Sequence, residues 1–450
     1  MRELFETDGI RGRANVHPMT PETAMRLGQA MAIYFGKDEP HPRIVIGKDP
    51  RRSSYMFELA VAAGACSMGA STFLVGPLPT PAIAFLTIGM RAQAGVVISA
   101  SHNPFYDNGI KVFGGDGFKL PDQVEAELEA IMKDTERLER RPTHEALGRA
   151  HRIEDATGRY IAFAKETFPD ALSLRGVKVI VDCANGAAYR AAPAVFEELG
   201  ASVVEVGVYP DGVNINDHCG ALYPESLSQL VVEQGAQLGI ALDGDADRLI
   251  LVDERGTVVD GDALMALIAK AMMAEGRLKK NTVVATIMSN MGLDLFMKKN
   301  GGTLLRSAVG DRYVLEMMRE GGYNFGGEQS GHLIFLDHTT TGDGIIASLQ
   351  VLAHMLTVGR PLSEITADFE RFPQKGTKVA VREKLPLDEV PEMKKAIAYA
   401  DERLGDEGRT VVRYSGTEAV LRLMVEARDE AVVKEMLGYL EGVAQATLGV

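Results

Sequence analysis

Short apolar runs alternate along most of this chain with longer segments whose apolar positions recur at helical spacing. The runs are Arg43–Gly47, Ala94–Ser99, Val177–Asp182, Leu238–Leu242, Leu249–Asp253 and Thr282–Ile287. They are almost continuously apolar, as strands covered on both faces are. Between them, Pro121–Lys133 predicts a helix with Pro121 in its first turn and Val124, Leu128 and Ile131 on one face. Alternation of this kind predicts α/β layers, whereas the last ~75 residues read strand, helix, strand, strand, helix, an α+β order.

At 450 residues the chain is too long for a single core. Charged or Pro-containing seams at Lys133–Asp155, Asp253–Gly261 and Phe369–Thr377 suggest where it divides. The expected units are 1–153, 154–254, 255–368 and 369–450: three α/β domains and a smaller α+β domain. No clear sequence self-similarity links the three.

A net charge of −14 and a pI near 5.2 argue against a nucleic-acid partner. An anionic substrate would need a local cluster of Arg, Lys and backbone N–H groups. Cys66, Cys183 and Cys219 lack CxxC spacing, so neither a zinc site nor a disulfide framework is indicated. The amino terminus carries no signal-peptide apolar region. Leu264–Ala274 is short and broken by Lys270, so it cannot span a bilayer. The expected setting is a reduced cytoplasm, with no membrane partner.

Five segments carry candidate chemistry. In Ile98–Phe113 a strand runs into a polar turn holding Ser101 and His102, then into a second short strand with Lys111. Strand ends are where open α/β sheets bind ligands; the same residues also read as a Ser-His-Asn turn capping local N–H groups. In Ala241–Asp253, Asp243, Asp245 and Asp247 alternate before Arg248. Fully extended, the outer two would lie roughly 13 Å apart. One Mg²⁺ requires ligand oxygens within about 4.2 Å, so the segment must curl. Three such carboxylates would repel without a cation. Calcium EF-hand spacing fails at the sixth position, Arg248 instead of Gly, and the flanks are strand-like.

Asn324–Phe335 sets Glu328, Ser330 and His332 around two glycines, suited to sugar hydroxyls or to an ordinary turn. Thr410–Ala427 places Ser415, Gly416 and Thr417 after a strand, a plausible anion nest flanked by Arg413 and Arg422; it also reads as a β-turn with surface arginines. Thr7–Gly12 and Gly47–Ser53 place Arg11, Arg51 and Arg52 in loops that, read singly, belong to the surface. No Walker A loop or GxSxG elbow is present.

In this order, SASHNP with DNGIK, DGDADR, GEQSGH and RYSGTE resemble the α-D-phosphohexomutase superfamily over essentially the whole chain. PDGVNIN and VDCANGAA point to its glucosamine branch. The resemblance implies three related α/β domains with mixed sheets sandwiched by helices, and a fourth domain closing a central cleft. It implies a phosphoserine at Ser101 and one Mg²⁺ held by that residue with Asp243, Asp245 and Asp247. Arg11, Lys111, His102 and Arg248 would surround the transferring phosphoryl group, with Lys111 the first choice for general acid/base. Glu328, Ser330 and His332 would grip sugar hydroxyls, while Arg413, Ser415, Gly416, Thr417 and Arg422 hold the other phosphate. The implied substrate is a hexosamine phosphate feeding UDP-N-acetylglucosamine and cell-wall precursors. Glucosamine or glucose 1,6-bisphosphate would be intermediate and activator, and a homodimer is admitted. Rival readings are a phosphomannomutase or phosphoglucomutase on the same scaffold, and a metal-dependent sugar phosphatase. Two departures from the pattern are Glu6, for the usual Gly, and Ala419, for the usual Pro.

Overall fold

The computed structural model describes residues 3–6, 8–37, 39–415 and 419–450. These form four sheets. Seven strands make the first, in spatial order Phe5–Glu6, Gly9–Arg13, Asp107–Gly114, Ala94–Ile98, Arg43–Lys48, Ser71–Pro77 and Ala150–Arg152. The second runs Val258–Val259, Leu249–Asp253, Leu238–Leu242, Lys178–Asp182, Ser202–Val206. The third runs Thr303–Ser307, Thr282–Thr286, Phe325–Gly327, Leu333–Phe335, and the last Gln374–Ala380, Val420–Ala427, Gly408–Tyr414. All six strands expected from the apolar runs are present, and their interior positions are buried as a two-sided sheet requires.

One device recurs. In each of the first three sheets a strand pairs in parallel with one neighbour and is followed in sequence by an antiparallel partner. The pairs are Ala94–Ile98 with Asp107–Gly114, Leu238–Leu242 with Leu249–Asp253, and Phe325–Gly327 with Leu333–Phe335. Their parallel neighbours are Arg43–Lys48, Lys178–Asp182 and Thr282–Thr286. The fourth sheet repeats the antiparallel step between Gly408–Tyr414 and Val420–Ala427. Each of the four connecting loops carries one of the candidate motifs. The three α/β units are therefore repeats in topology although not in sequence.

Packing separates the last unit from the rest. One continuous apolar cluster runs from Val45 through Val181 and Leu242 to Phe335 and Leu362, joining the first three sheets. Residues Val379 to Leu448 form a cluster of their own, with Met393, Leu423, Met436 and Leu440 at its centre. Each such buried side chain contributes about 1.5–3 kcal/mol, so both bodies have cohesion of their own.

Three expectations are corrected. Arg11 lies within the strand Gly9–Arg13, not in a loop, because its backbone pairs with Asn108–Ile110. Arg51 is not at the surface: it is fully buried. Pro121 precedes the helix Asp122–Lys133 as its cap residue and does not sit in the first turn. The seam Lys133–Asp155 also holds a strand, Ala150–Arg152, which pairs with Ser71–Pro77 and extends the first sheet.

Candidate active site

Ser101 lies three residues beyond the strand Ala94–Ile98 and is buried. Its φ of +52° is left-handed, a conformation that costs an L-residue roughly 1–2 kcal/mol. Neighbouring groups offset that cost. Ser101 N–H donates to Ser99 Oγ at 2.9 Å. Its carbonyl accepts from Arg51 Nη2 at 3.1 Å and Asn216 Nδ2 at 2.9 Å. Held this way, Ser101 Oγ donates to Asp243 Oδ2 at 2.5 Å and stands 3.4 Å from His102 Nδ1.

The aspartate segment does curl. Ala246 adopts φ +58°, and carboxylate oxygens of Asp243, Asp245 and Asp247 lie within 4.8 Å of one another. All three are buried. Thr80 Oγ1 donates to Asp245 Oδ2 at 2.7 Å, while Arg248 N–H donates to Asp243 Oδ1 at 3.1 Å. Asp245 Oδ1 and Asp247 Oδ1 are buried with no hydrogen-bond partner among the described residues. Carboxylate oxygens gathered this closely, two of them without a hydrogen bond, match the donor set of a hard divalent cation. The trio therefore fits a metal site.

Protein charges alone pull these groups apart. Burial, then Asp247 and Asp245, raises the Asp243 carboxyl well above its ordinary range. Burial opposes charge on Asp247 too, but Lys111 and His332 outweigh it and hold that carboxyl well below. Lys111 projects from the strand Asp107–Gly114 and donates to Asp245 Oδ2 at 3.0 Å and Asp247 Oδ2 at 3.3 Å. Burial disfavours its charge, yet Asp245, Asp8 and Asp247 together raise its pKa well above that of a free lysine. Arg11 pairs with Asp8, which also binds Lys119. The His102 ring is pushed down to about 4, chiefly by burial and then by Arg248 and Arg11.

From the third sheet, His332 sets Nδ1 3.6 Å from Asp247 Oδ1, and its Nε2 accepts from Gly342 N–H at 3.1 Å. Burial works against its protonation, but Asp247, Asp311 and Glu328 together outweigh it and raise its pKa. Glu328 Oε1 accepts from Gly310 N–H at 3.2 Å, and Ser330 Oγ stands 3.4 Å from Oε2. Burial raises the Glu328 carboxyl. Backbone bonds stitch these loops together: Leu249 N–H to Gly331 O at 3.0 Å and Thr80 N–H to Asp245 O at 2.9 Å.

Arg413 and Arg422 are paired on adjacent strands of the last sheet and line a cavity of about 460 Å³ with Met288, Gln374, Lys378 and Met424. Ser415 is buried beside them; its carbonyl accepts from Lys384 Nζ at 2.7 Å, and its hydroxyl lies 3.4 Å from Arg422 Nη2. Gly416 and Thr417 lie outside the described residues, as does the Glu6 side chain.

Sequence reasoning missed several groups: Asp8, Lys119 and Asp311, which form an ion-paired row with Lys119 at 2.6 Å from Asp311, and the donors Arg51, Asn216 and Thr80. Asp8, Arg51 and Asn216 sat inside quoted motifs. Asp8 and Arg51 each have one near partner, Arg11 and Asp49, but their other partners lie about 50 to more than 100 residues away in sequence, and only the fold brings those together.

Comparison with known proteins covers the whole chain. Four domain families of phosphoglucomutase/phosphomannomutase match it: alpha/beta/alpha domain I at residues 2–139, domain II at 158–256, domain III at 260–372 and the C-terminal domain at 377–440. A phosphoglucosamine mutase of Geobacter sp. strain M21 is 56% identical over 449 residues, spanning 100% of this chain and 99% of that one. Among solved structures, a phosphoglucomutase/phosphomannomutase family protein from Burkholderia thailandensis superposes with TM-score 0.82 at 23% identity, covering 99% of each chain. The Aspergillus fumigatus N-acetylphosphoglucosamine mutase in complex with GlcNAc-6P and magnesium superposes with TM-score 0.70 at 18% identity, covering 99% of this chain and 96% of that one. The two structural likenesses speak to fold alone.

Proposed function

We propose that this chain interconverts glucosamine 6-phosphate and glucosamine 1-phosphate, on the premise that it belongs to the phosphoglucomutase/phosphomannomutase family. The observation that carries the reading is the Ser101 hydroxyl, buried 2.5 Å from Asp243 in a carboxylate trio with two unsatisfied oxygens. The amino-sugar choice rests on full-length relatives such as the Geobacter protein.

Ser101 carries a phosphoryl group. The P–Oγ bond breaks as a bond forms to O1 of glucosamine 6-phosphate, and the O1 proton leaves to a nearby base. The resulting 1,6-bisphosphate turns over in the cleft. Ser101 Oγ then attacks the 6-phosphoryl group, the P–O6 bond breaks, O6 takes back the proton held by the base, and glucosamine 1-phosphate departs. Such transfer depends on positioning and charge neutralisation. Asp243, Asp245 and Asp247, with the Ser101 oxygen, would hold one Mg²⁺, whose chemistry is to neutralise charge on the phosphoryl oxygens.

Lys111 and Arg248 add fixed positive charge at the same place. Three carboxylates favour the charged form of Lys111, which suits charge neutralisation. The proton acceptor is one of Lys111, Arg11 and His102, the last standing 3.4 Å from Ser101 Oγ. Glu328 and Ser330 grip sugar hydroxyls, with His332 close by. Arg413, Ser415, Gly416, Thr417 and Arg422 hold whichever phosphate is not reacting. We assign these jobs to units 1–153, 154–254, 255–368 and 369–450 in that order. Coupled assays with glucosamine, glucose and mannose 6-phosphates test the choice of sugar. The amino sugar should give the largest kcat/KM, and a dominant rate on mannose 6-phosphate would contradict it.

A further inference from the structure

Two residues outside the reacting groups hydrogen-bond the backbone of the Ser101 turn. Arg51 is buried beside Asp49, with which it is paired, and its Nη2 donates to the carbonyls of both Ser101 and Asn103, at 3.1 and 2.5 Å. Asn216 belongs to the second α/β unit, yet its Nδ2 reaches the same two carbonyls, at 2.9 and 3.1 Å. Each carbonyl thus accepts from one donor in each unit. Carbonyl oxygens with two lone pairs can take both donors at once.

The Asn216 arm is itself anchored. Asn216 N–H donates to Ala184 O at 2.9 Å, and Arg52 N–H donates to Gly212 O at 3.1 Å, docking the 211–216 loop onto the segment that carries Arg51. Gly244, between the first two metal-site aspartates, fits under the junction only because it lacks a side chain. A Cβ there would meet Ser101 O at 2.5 Å and Asn216 Nδ2 at 2.9 Å.

We infer that Arg51 and Asn216 are positioning residues. They clamp the Ser101–Asn103 backbone from both sides of the domain junction and so fix the left-handed turn that aims Oγ at the aspartate trio. The inference rests on Ser101 being the phosphoryl carrier. Asn216 carries the test, since removing Arg51 would strand Asp49 in the interior. The full-length protein is assayed as wild type, Asn216→Ala, Asn216→Asp and Arg51→Lys. Saturating Mg²⁺ and glucose 1,6-bisphosphate are present, and each Tm confirms a folded protein. Intact mass follows how fast dephosphorylated protein takes a phosphoryl group from glucose 1,6-bisphosphate.

Misplacing a reacting group can cost about 100-fold, so kcat and the rephosphorylation rate should fall roughly 10- to 100-fold together. KM should stay within about twofold, because no substrate contact is touched. Asn216→Asp should be slower than Asn216→Ala, since it sets an acceptor against two carbonyls. A role in packing alone would rank them the other way, Asp being the closer isostere. Arg51→Lys keeps a cation beside Asp49 but loses the fork, and should lower kcat as well. The inference is overturned by Asn216 variants within twofold of wild-type kcat, or by losses confined to KM. A wild-type protein that takes up no phosphoryl group would instead overturn the function proposed above.

Discussion

Asp343 caps the helix Gly344–Val358 by accepting from the N–H groups of Ile345 and Ile346, and it takes a further bond from Tyr160 Oη at 2.8 Å. Burial outweighs all three and raises its carboxyl to about 6. The unfolded carboxyl titrates near its ordinary value of about 3.9. Between those values the folded state binds the extra proton, so this stability is complete below about pH 4 and lost as pH rises through about 6. Asp343→Asn keeps a capping oxygen without the charge. In chelator-treated protein, the Tm of the variant minus that of wild type should widen from about pH 4 to about pH 7; a flat difference would show that burial does not govern this group. Asp245 makes a second case, because its unpaired buried oxygen has a cation as its natural partner. Adding Mg²⁺ should raise the wild-type Tm. Asp245→Asn should shift the midpoint of that effect at least roughly tenfold higher in Mg²⁺. Equal midpoints would remove Asp245 from the metal site.

The antiparallel step within each sheet turns a connection of a few residues into a rigid platform. Gly244 shows how tight that platform is. Gly244→Ala forces a methyl against Ser101 O and Asn216, and kcat should drop by roughly 100-fold while the chain remains folded. Unchanged kcat would mean the two loops are not held at the separation seen here. Much of this level was legible in the sequence. The apolar runs marked the strands, and the alternating aspartates between two of them required a curl. What escaped were side chains whose role depends on long-range pairing. Arg11 looked like part of a Gly-bounded loop because nothing local announces that its strand pairs with Asp107–Gly114. Arg51 looked like a surface residue because a charged side chain is rarely buried. Its four polar partners come from Asp49, Ser99, Ser101 and Asn103, mostly some 50 positions away. The topological repeat was expected from the family resemblance alone, since it resides in strand order and not in residue identity.

Across the whole molecule, the separate apolar cluster of the last sheet matters most. The sheet is joined to the third unit by hydrogen bonds. These include Arg409 Nη2 to Ser289 O at 2.6 Å and Gln374 Nε2 to Met288 O at 3.0 Å. Contacts of this kind can be exchanged for water at little cost, whereas a shared core cannot. Rotation of 369–450 about Phe369–Thr377 should therefore accompany ligand binding. Solution scattering should give a smaller radius of gyration with glucose 1,6-bisphosphate than without it; identical profiles would argue for a cleft of fixed width. The central claim is that Ser101 relays the phosphoryl group to the sugar. It is tested most directly by loading the protein with ³²P from labelled glucose 1,6-bisphosphate, mapping the labelled peptide, and chasing with unlabelled glucosamine 6-phosphate. The label should sit on Ser101 and pass during the chase into glucosamine phosphates, with Ser101→Ala taking up none. Label on another residue, or label released only as inorganic phosphate, would contradict it.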